Sequence, residues 1–186
     1  MTFTLIKADL ERLPSLADAL RRGYSPDNMR GAEAARELLR QIDRDPAAVV
    51  AGSDDLEGRL PPIELKDGSR VPRLPSFHRW MWDGEFCGML GARWPADLGP
   101  LPDHVPGHVG YSVVEWKRGR GYATRGLALL LPEIKAIGLA FVDLTTDLDN
   151  IPSQKVIQAN GGRFLGREPR PDAHGGGDCL RWRIDL

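Results

Sequence analysis

The chain is short of cysteine and lysine, carries no surplus of either charge, and has no long apolar run. Its two cysteines in 186 residues, Cys87 and Cys179, stand far apart without CxxC spacing. That excludes a zinc ribbon, a dithiol redox motif and a disulfide framework, and it fits a reducing cytoplasm. No stretch of 18 apolar residues occurs, and the start MTFTLIKADLERL lacks a basic segment followed by an apolar one, so neither a membrane span nor a secretory leader is expected. With 25 Lys and Arg against 26 Asp and Glu, the net charge is −1, and no global field draws the chain to nucleic acid or anionic lipid. Any anion it binds must be held by a local patch. Only Lys7, Lys66, Lys117, Lys135 and Lys155 are lysines. Arginine forms planar forks to phosphate or carboxylate, but this ratio beside abundant Ala and Gly reads first as genome composition.

What is abundant is punctuation. Gly 21 and Pro 15 make up about a fifth of the chain, above the usual share of roughly 12% but short of a low-complexity segment. With 41% hydrophobic and 27% charged residues, the composition is that of a folded globule of one-domain length, 1–186. Thr2 to Ala8 reads as a strand, and LERLPSLADALRRG as a helix capped near Asp9, with Pro14 dividing it or sitting in its first turn. Ala32, Ala35, Leu38, Leu39 and Ile42 recur at helical spacing up to Asp45-Pro46. Residues 53–75 read as a long loop with a turn at Lys66-Asp67-Gly68-Ser69. SFHRWMW and EFCGMLGARW flank Asp83-Gly84 as a hairpin, followed by the strand HVGYSVV and, from Ala123 to Ile137, a helix containing Pro132 and ending at Gly138. LAFVDLTT, a short helix from about Pro152 to Ala159, and the strands RFLGRE and CLRWRIDL complete the chain.

Chemistry begins at Arg118-Gly119-Arg120-Gly121-Tyr122-Ala123-Thr124. A strand that enters a glycine turn and then a helix exposes several amide N–H groups at the positive end of a helix dipole, where an anion such as phosphate is held. A Walker A loop is excluded because Gly121 to Gly126 is followed by Leu127 and no phosphate-clamping lysine. A dinucleotide fingerprint fails because Thr124 occupies its third glycine position. An ordinary connecting turn stays open on these residues alone.

Arg118, Gly121 and Ala123 fit the (Q/R)xxGx(G/A) pyrophosphate loop of the GNAT superfamily of N-acetyltransferases, and the flanking chain resembles that family. Val113 precedes the loop at the family's spacing, while Glu115 stands where proline is common. DLDNIPSQKVIQANGG resembles the family's fifth-strand end and fourth helix, with Asn150, Ser153 and Gly161 at the expected intervals. The GYS before the loop and the NGG after the helix look most like a group of bacterial predicted acetyltransferases. The resemblance implies an α/β (α+β) fold, with about four helices around a mixed, mostly antiparallel twisted sheet whose fourth and fifth strands splay apart. It also implies acetyl-CoA as co-substrate and a primary amine, on a small molecule or peptide, as acceptor, and it leaves room for a homodimer. Val113 and Val114 would then pair with the pantetheine arm like an added strand. Arg118, Gly119, Arg120, Gly121, Tyr122, Ala123 and Thr124 would hold the diphosphate, Lys155 or Arg125 would reach a nucleotide phosphate, and Ser153 belongs to the same set. Asn150 would orient the pantetheine or simply cap its helix.

The family's usual acid, a tyrosine on the fourth helix, falls here at Ile157. The remaining catalytic candidates are His108, suited to proton relay or else a buried or capping histidine, and Tyr111, on the opposite face of the same strand. His104 and His108 have the spacing of helical metal ligands, but Pro106 and Gly107 deny the helix, and no metal is expected. Glu85 reads as a surface carboxylate, and Trp80, Trp82 and Trp94 as core or, alternatively, acceptor pocket. The segment from Tyr24 to Asn28 and the loop 53–75 are the expected pocket walls. With the usual acid missing, a catalytically silent acyl-CoA sensor or interaction module remains the rival reading, and a nucleotide-binding regulator a weaker third.

Overall fold

Residues 2–27, 29–64, 68–170 and 176–186 are described by the structure, a computed structural model. The order is β1 (Thr4–Ile6), α1 (Leu13–Arg21), α2 (Ala32–Arg44), α3 (Pro46–Ala51), β2 (Asp54–Asp55), β3 (Ile63–Glu64), β4 (Arg70–Val71), β5 (Ser76–Trp82), β6 (Phe86–Arg93), β7 (Val109–Val113), α4 (Tyr122–Ile137), β8 (Phe141–Thr146), α5 (Ile151–Ala159), β9 (Arg163–Pro169) and β10 (Asp178–Asp185). One antiparallel sheet runs β1-β5-β6-β7, with β2 on β5; a second runs β8-β10-β9; β3 and β4 form a small hairpin. This is the mixed α/β architecture expected, with five helices where about four were counted.

The extra helix is α3. Proline at its first positions needs no amide partner, and the Asp45 carboxylate accepts the Ala48 N–H at 2.9 Å. Asp45-Pro46 therefore ends one helix and starts the next. Residues 53–75 are likewise less featureless than expected, since they supply β2, β3 and β4. Asn28, Lys66 and Asp67 lie outside the described residues. Pro14 sits at the start of α1, and Pro132 lies inside α4 without ending it.

Each face of the first sheet is covered. On one, Trp80 and Phe86 pack with Leu13, Leu16 and Leu20 of α1 and Ala35 of α2. On the other, Phe77, Met81 and Leu90 meet Leu127, Leu130 and Ile134 of α4, and this core continues through Val142, Leu144, Trp182 and Ile184 of the second sheet. Full burial of each such side chain is worth roughly 1.5–3 kcal/mol. Trp80 and Trp94 are both core residues.

Candidate active site

β7 and β8 belong to different sheets, so the two strands bound a wedge. At its closed end the His108 N–H donates to the Asp143 carbonyl at 2.7 Å. The Asp143 N–H donates to His108 Nδ1 at 3.0 Å, which places the imidazole proton on Nε2. A side chain at Gly107 would put its Cβ 2.8 Å from the Asp143 carbonyl oxygen, so only glycine lets the strands meet this closely. The Asp143 carboxylate accepts from Arg183 at 2.6 and 2.8 Å and from Arg181 at 2.7 Å. Burial works to raise its pKa, but these bonds outweigh it and the group lies below the ordinary carboxylate value. Burial pushes His108 below the usual histidine value, the Asp143 charge opposing and Arg183 adding. His108 is thus buried against Phe141 in the closed end and does not line the neighbouring cavity.

Further along β7 the wedge opens. Val114 needs a correction: its N–H donates to the Cys87 carbonyl at 3.0 Å, so that donor is not left for a pantetheine arm, and its carbonyl already accepts from the Lys117 N–H at 3.0 Å. The antiparallel alternation instead turns the backbone groups of Tyr111 and Val113 away from β6 and into the gap. The Tyr111 hydroxyl crosses to α5, donating to the Ser153 carbonyl at 3.2 Å and lying 2.7 Å from Ser153 Oγ. Burial pushes this phenol up to about 12, the Ser153 bond opposing. The Ser153 N–H donates to Asn150 Oδ1 at 3.1 Å, so Asn150 caps α5. Ile157, one turn further along α5, is fully buried.

Arg118 to Gly121 connect a short 3₁₀ turn, Glu115–Lys117, to α4. Gly119 and Gly121 have φ of +75° and +73°, and a Cβ at either would meet open space. Glycine is required there by backbone conformation and not by crowding. The first helical bond runs from the Arg125 N–H to the Gly121 carbonyl at 3.0 Å, so the amides of Tyr122, Ala123 and Thr124 have no helical acceptor. Arg118 and Arg120 are exposed and only loosely tied, to the Val113 and Trp116 carbonyls at 3.4 and 3.3 Å. Arg125 lies over the Phe3 ring, and Lys155 is exposed on α5. Free amides at a helix start with exposed cations around them suit a diphosphate.

Sequence reasoning missed the clamp beneath this loop. Asp83 accepts from Lys117 Nζ at 2.5 Å and from the Tyr122 hydroxyl at 2.5 Å, gripping the loop on both sides. Lys117 also pairs with Glu85 at 2.8 Å, so Glu85 is more than a solvated surface carboxylate. Burial works to raise the Asp83 pKa, but its bonds to Lys117 and Tyr122 prevail and hold it far below the carboxylate range. Lys117 is the counterpart: burial works to lower its pKa, and the two carboxylates raise it overall. Asp83-Gly84 signalled only a hairpin turn, and nothing in local pattern connects it to a lysine 34 positions away.

A cavity of about 390 Å³ lies beside the wedge, walled by Pro26, Ile63 and Val71 to Leu74 and floored by His78, Arg93 and Gly110 of β5, β6 and β7, with Tyr111 on its rim. Among the described residues no Asp or Glu lines it. His78 is held below the usual histidine value, first by burial, with the Arg93 and Arg73 charges adding. Tyr24 packs beneath, its hydroxyl 2.8 Å from Ser112 Oγ. No group of three or more His, Cys, Asp or Glu residues suited to a metal ion is found among the described residues, nor is there a helix long and apolar enough to cross a membrane.

Solved structures share this architecture. RimL, a ribosomal L7/L12 alpha-N-protein acetyltransferase in complex with coenzyme A, matches with a TM-score of 0.62 at 14% identity over 100% of this chain and 95% of that one. A ribosomal-protein-S5-alanine acetyltransferase from Vibrio fischeri matches with 0.62 at 15% identity over 100% and 93%. A spermidine N-acetyltransferase SpeG chimera from Vibrio cholerae and hSSAT gives 0.57 at 12% identity over 100% and 96%. At these identities the likeness establishes the fold alone. No curated protein matches the sequence. The model of the acetyltransferase (GNAT) family matches residues 32–161, which take in the wedge, the glycine loop and α5. On that match over more than half its length, the chain belongs to the GNAT family and is an acetyltransferase.

Proposed function

We propose that the whole chain, 1–186, acts as one acetyl-CoA-dependent N-acetyltransferase domain that acetylates a primary amine in the cytoplasm. The observation carrying this reading is the coincidence of three unpartnered amides, at Tyr122, Ala123 and Thr124, with the open end of the β7/β8 wedge. Acetyl-CoA supplies an activated thioester when bound. The chain's own part is to hold the diphosphate at Gly119 to Thr124, flanked by Arg118 and Arg120, and to offer the Tyr111 and Val113 backbone edge to the pantetheine arm. Asn150, Ser153 and Lys155 border the same opening from α5.

Two residues take separate parts. Tyr111 reaches α5 at Ser153, four residues before Ile157, so its hydroxyl stands one helical turn from the position of the family's usual acid. With its pKa pushed up to about 12, it stays protonated, and its one O–H, turning from the Ser153 carbonyl, donates a hydrogen bond to the leaving sulfur rather than surrendering its proton, a free thiol having a pKa of about 8.5. His108 is assigned to holding the wedge shut at its base, because its ring is buried and its Nδ1 is occupied. Among the described residues the cavity lining has no carboxylate to favour a charged amine, so the neutral amine attacks the thioester carbonyl, the C–S bond breaks, and the proton shed by the attacking nitrogen passes to the departing thiolate without a dedicated base.

Burial of Ile157 in the core keeps the rival in view: an acyl-CoA-binding module without turnover. Calorimetric titration with acetyl-CoA and an amine screen reading released CoA thiol decide the matter. Binding with amine-dependent thiol release is expected; binding without release would establish the silent module, and no binding would end both readings.

A further inference from the structure

Among the described residues, the buried and half-buried arginines are matched to carboxylates, with one exception. Arg79, buried on β5, donates to Asp54 at 2.6 Å and to Glu133 at 2.8 Å. Arg181 and Arg183 share Asp143. Arg93, half-buried at the end of β6, has no side-chain hydrogen bond or ion pair among the described residues. Only its main chain is engaged, the N–H donating to the His108 carbonyl.

Its surroundings are built to expose it. Gly91 and Gly110 face each other across β6 and β7, leaving bare backbone on the cavity floor. The His78 ring lies over Gly91, 2.8 Å from where a Cβ would stand, and Arg93 Nη2 lies 3.4 Å from the corresponding point on Gly110. A side chain at Gly91 would displace the imidazole above it, whereas at Gly110 it would only come into contact with the guanidinium. Arg73 lines the same cavity, and Asp54, whose charge reaches His78, is bound to Arg79 at 2.6 Å and Lys7 at 3.2 Å. Burial lowers the Arg93 pKa with no carboxylate opposing. A half-buried guanidinium with no carboxylate partner, facing a cavity, gains most from an anion that joins it there.

We propose that the acceptor amine carries an anionic group, a carboxylate or a phosphate, which docks on Arg93 while the amine points along β7 toward the open wedge. From Gly110 to Val113 is three residues, roughly 10 Å at the usual strand rise, so the anion and the amine belong to one small molecule or to the first residues of a peptide. A polycation would place positive charge on Arg93 and Arg73 and is disfavoured. This rests on the acetyltransfer reading above and narrows its substrate class.

The test uses the full chain saturated with CoA, titrated calorimetrically with 6-aminohexanoate, 6-aminohexanamide, 3-aminopropyl phosphate and 1,6-diaminohexane. The two anions are expected to bind at least tenfold more tightly than the amide and the diamine, and the tighter of the two anions identifies the source. Arg93→Gln should bring the anions to within threefold of the amide, while Arg93→Lys retains part of the preference. Equal binding of acid and amide, no binding of any anion, or a preference that survives Arg93→Gln would overturn the proposal. Titration of each variant with acetyl-CoA separates this from the underlying reading: normal acetyl-CoA binding without anion preference sinks only the Arg93 assignment, whereas absent acetyl-CoA binding in the unaltered chain sinks both.

Discussion

The two ends of the β7/β8 wedge are made of opposite materials. At the closed end the Asp143 carboxylate takes both arginines, and its main chain takes the backbone donor and the Nδ1 acceptor of His108. At the open end three helix amides lack acceptors and Arg118 and Arg120 are exposed. Buried polar groups stabilise only when matched, and unmatched ones are tolerable only near solvent or a ligand. These paired bonds at the base hold two separate sheets at fixed spacing, which lets the mouth keep its donors free.

Breaking the base should have the largest effect. His108→Ala leaves the buried Asp143 N–H without an acceptor and opens a cavity, so denaturant unfolding should show a loss of about 3 kcal/mol. Acetyl-CoA affinity of the folded protein should change little. An unchanged stability with turnover lost across pH 6 to 9 would instead make His108 the base. The same residue predicts a pH dependence. His108 and His78 are both held below the ordinary value, so below about pH 6.5 the unfolded chain takes up protons that the folded chain refuses. Stability should be full above that pH, fall as pH drops below it, and stop falling once the folded histidines protonate. His108→Ala should flatten part of that slope.

At the mouth, Gly121→Val forces a branched side chain to φ +73° and places it on the anion seat, so acetyl-CoA binding should weaken about a hundredfold, or roughly 2.7 kcal/mol. Circular dichroism should remain that of the parent. Asp83→Asn joins the two halves of the comparison, since a buried pair supports an open loop. Loss of the carboxylate under Lys117 and Tyr122 should cost about 2 kcal/mol in unfolding free energy, Glu85 compensating in part, and weaken acetyl-CoA about tenfold. Equal acetyl-CoA affinity in that variant would show that the loop holds its shape unaided. Tyr111→Phe is the mildest: kcat should fall by about tenfold or less with acetyl-CoA affinity retained, the signature of an interaction made in the transition state.

The mouth was readable in the sequence and the base was not. RGRGYAT carries its geometry locally, because glycine at two positive-φ positions and a helix start are set by adjacent residues. The hairpin at Asp83-Gly84 and the C-cap at Gly138 were readable for the same reason. The joining of His108 to Asp143 spans 35 positions, and the clamp of Lys117 on Asp83 spans 34. Neither pairing leaves a trace in periodicity, since a lone histidine or lysine looks alike whether buried or solvated. At Val114 the sequence leaves open which backbone groups face the gap, because strand alternation depends on register, which the neighbouring strand decides. Asp45-Pro46 is locally a stop signal as much as a start, so α3 leaves no separate trace in the pattern.

Cys87 and Cys179 make the native chain nearly blind to thiol reagents. Both are buried, and burial raises both thiols, Cys87 to about 12. Thiolate, the reactive form, is therefore scarce in the native chain at neutral pH. A chromogenic disulfide reagent added during turnover would meet a silent protein background, so colour would report liberated coenzyme alone. Slow labelling of Cys87 would in turn time the opening of the ground beneath the glycine loop.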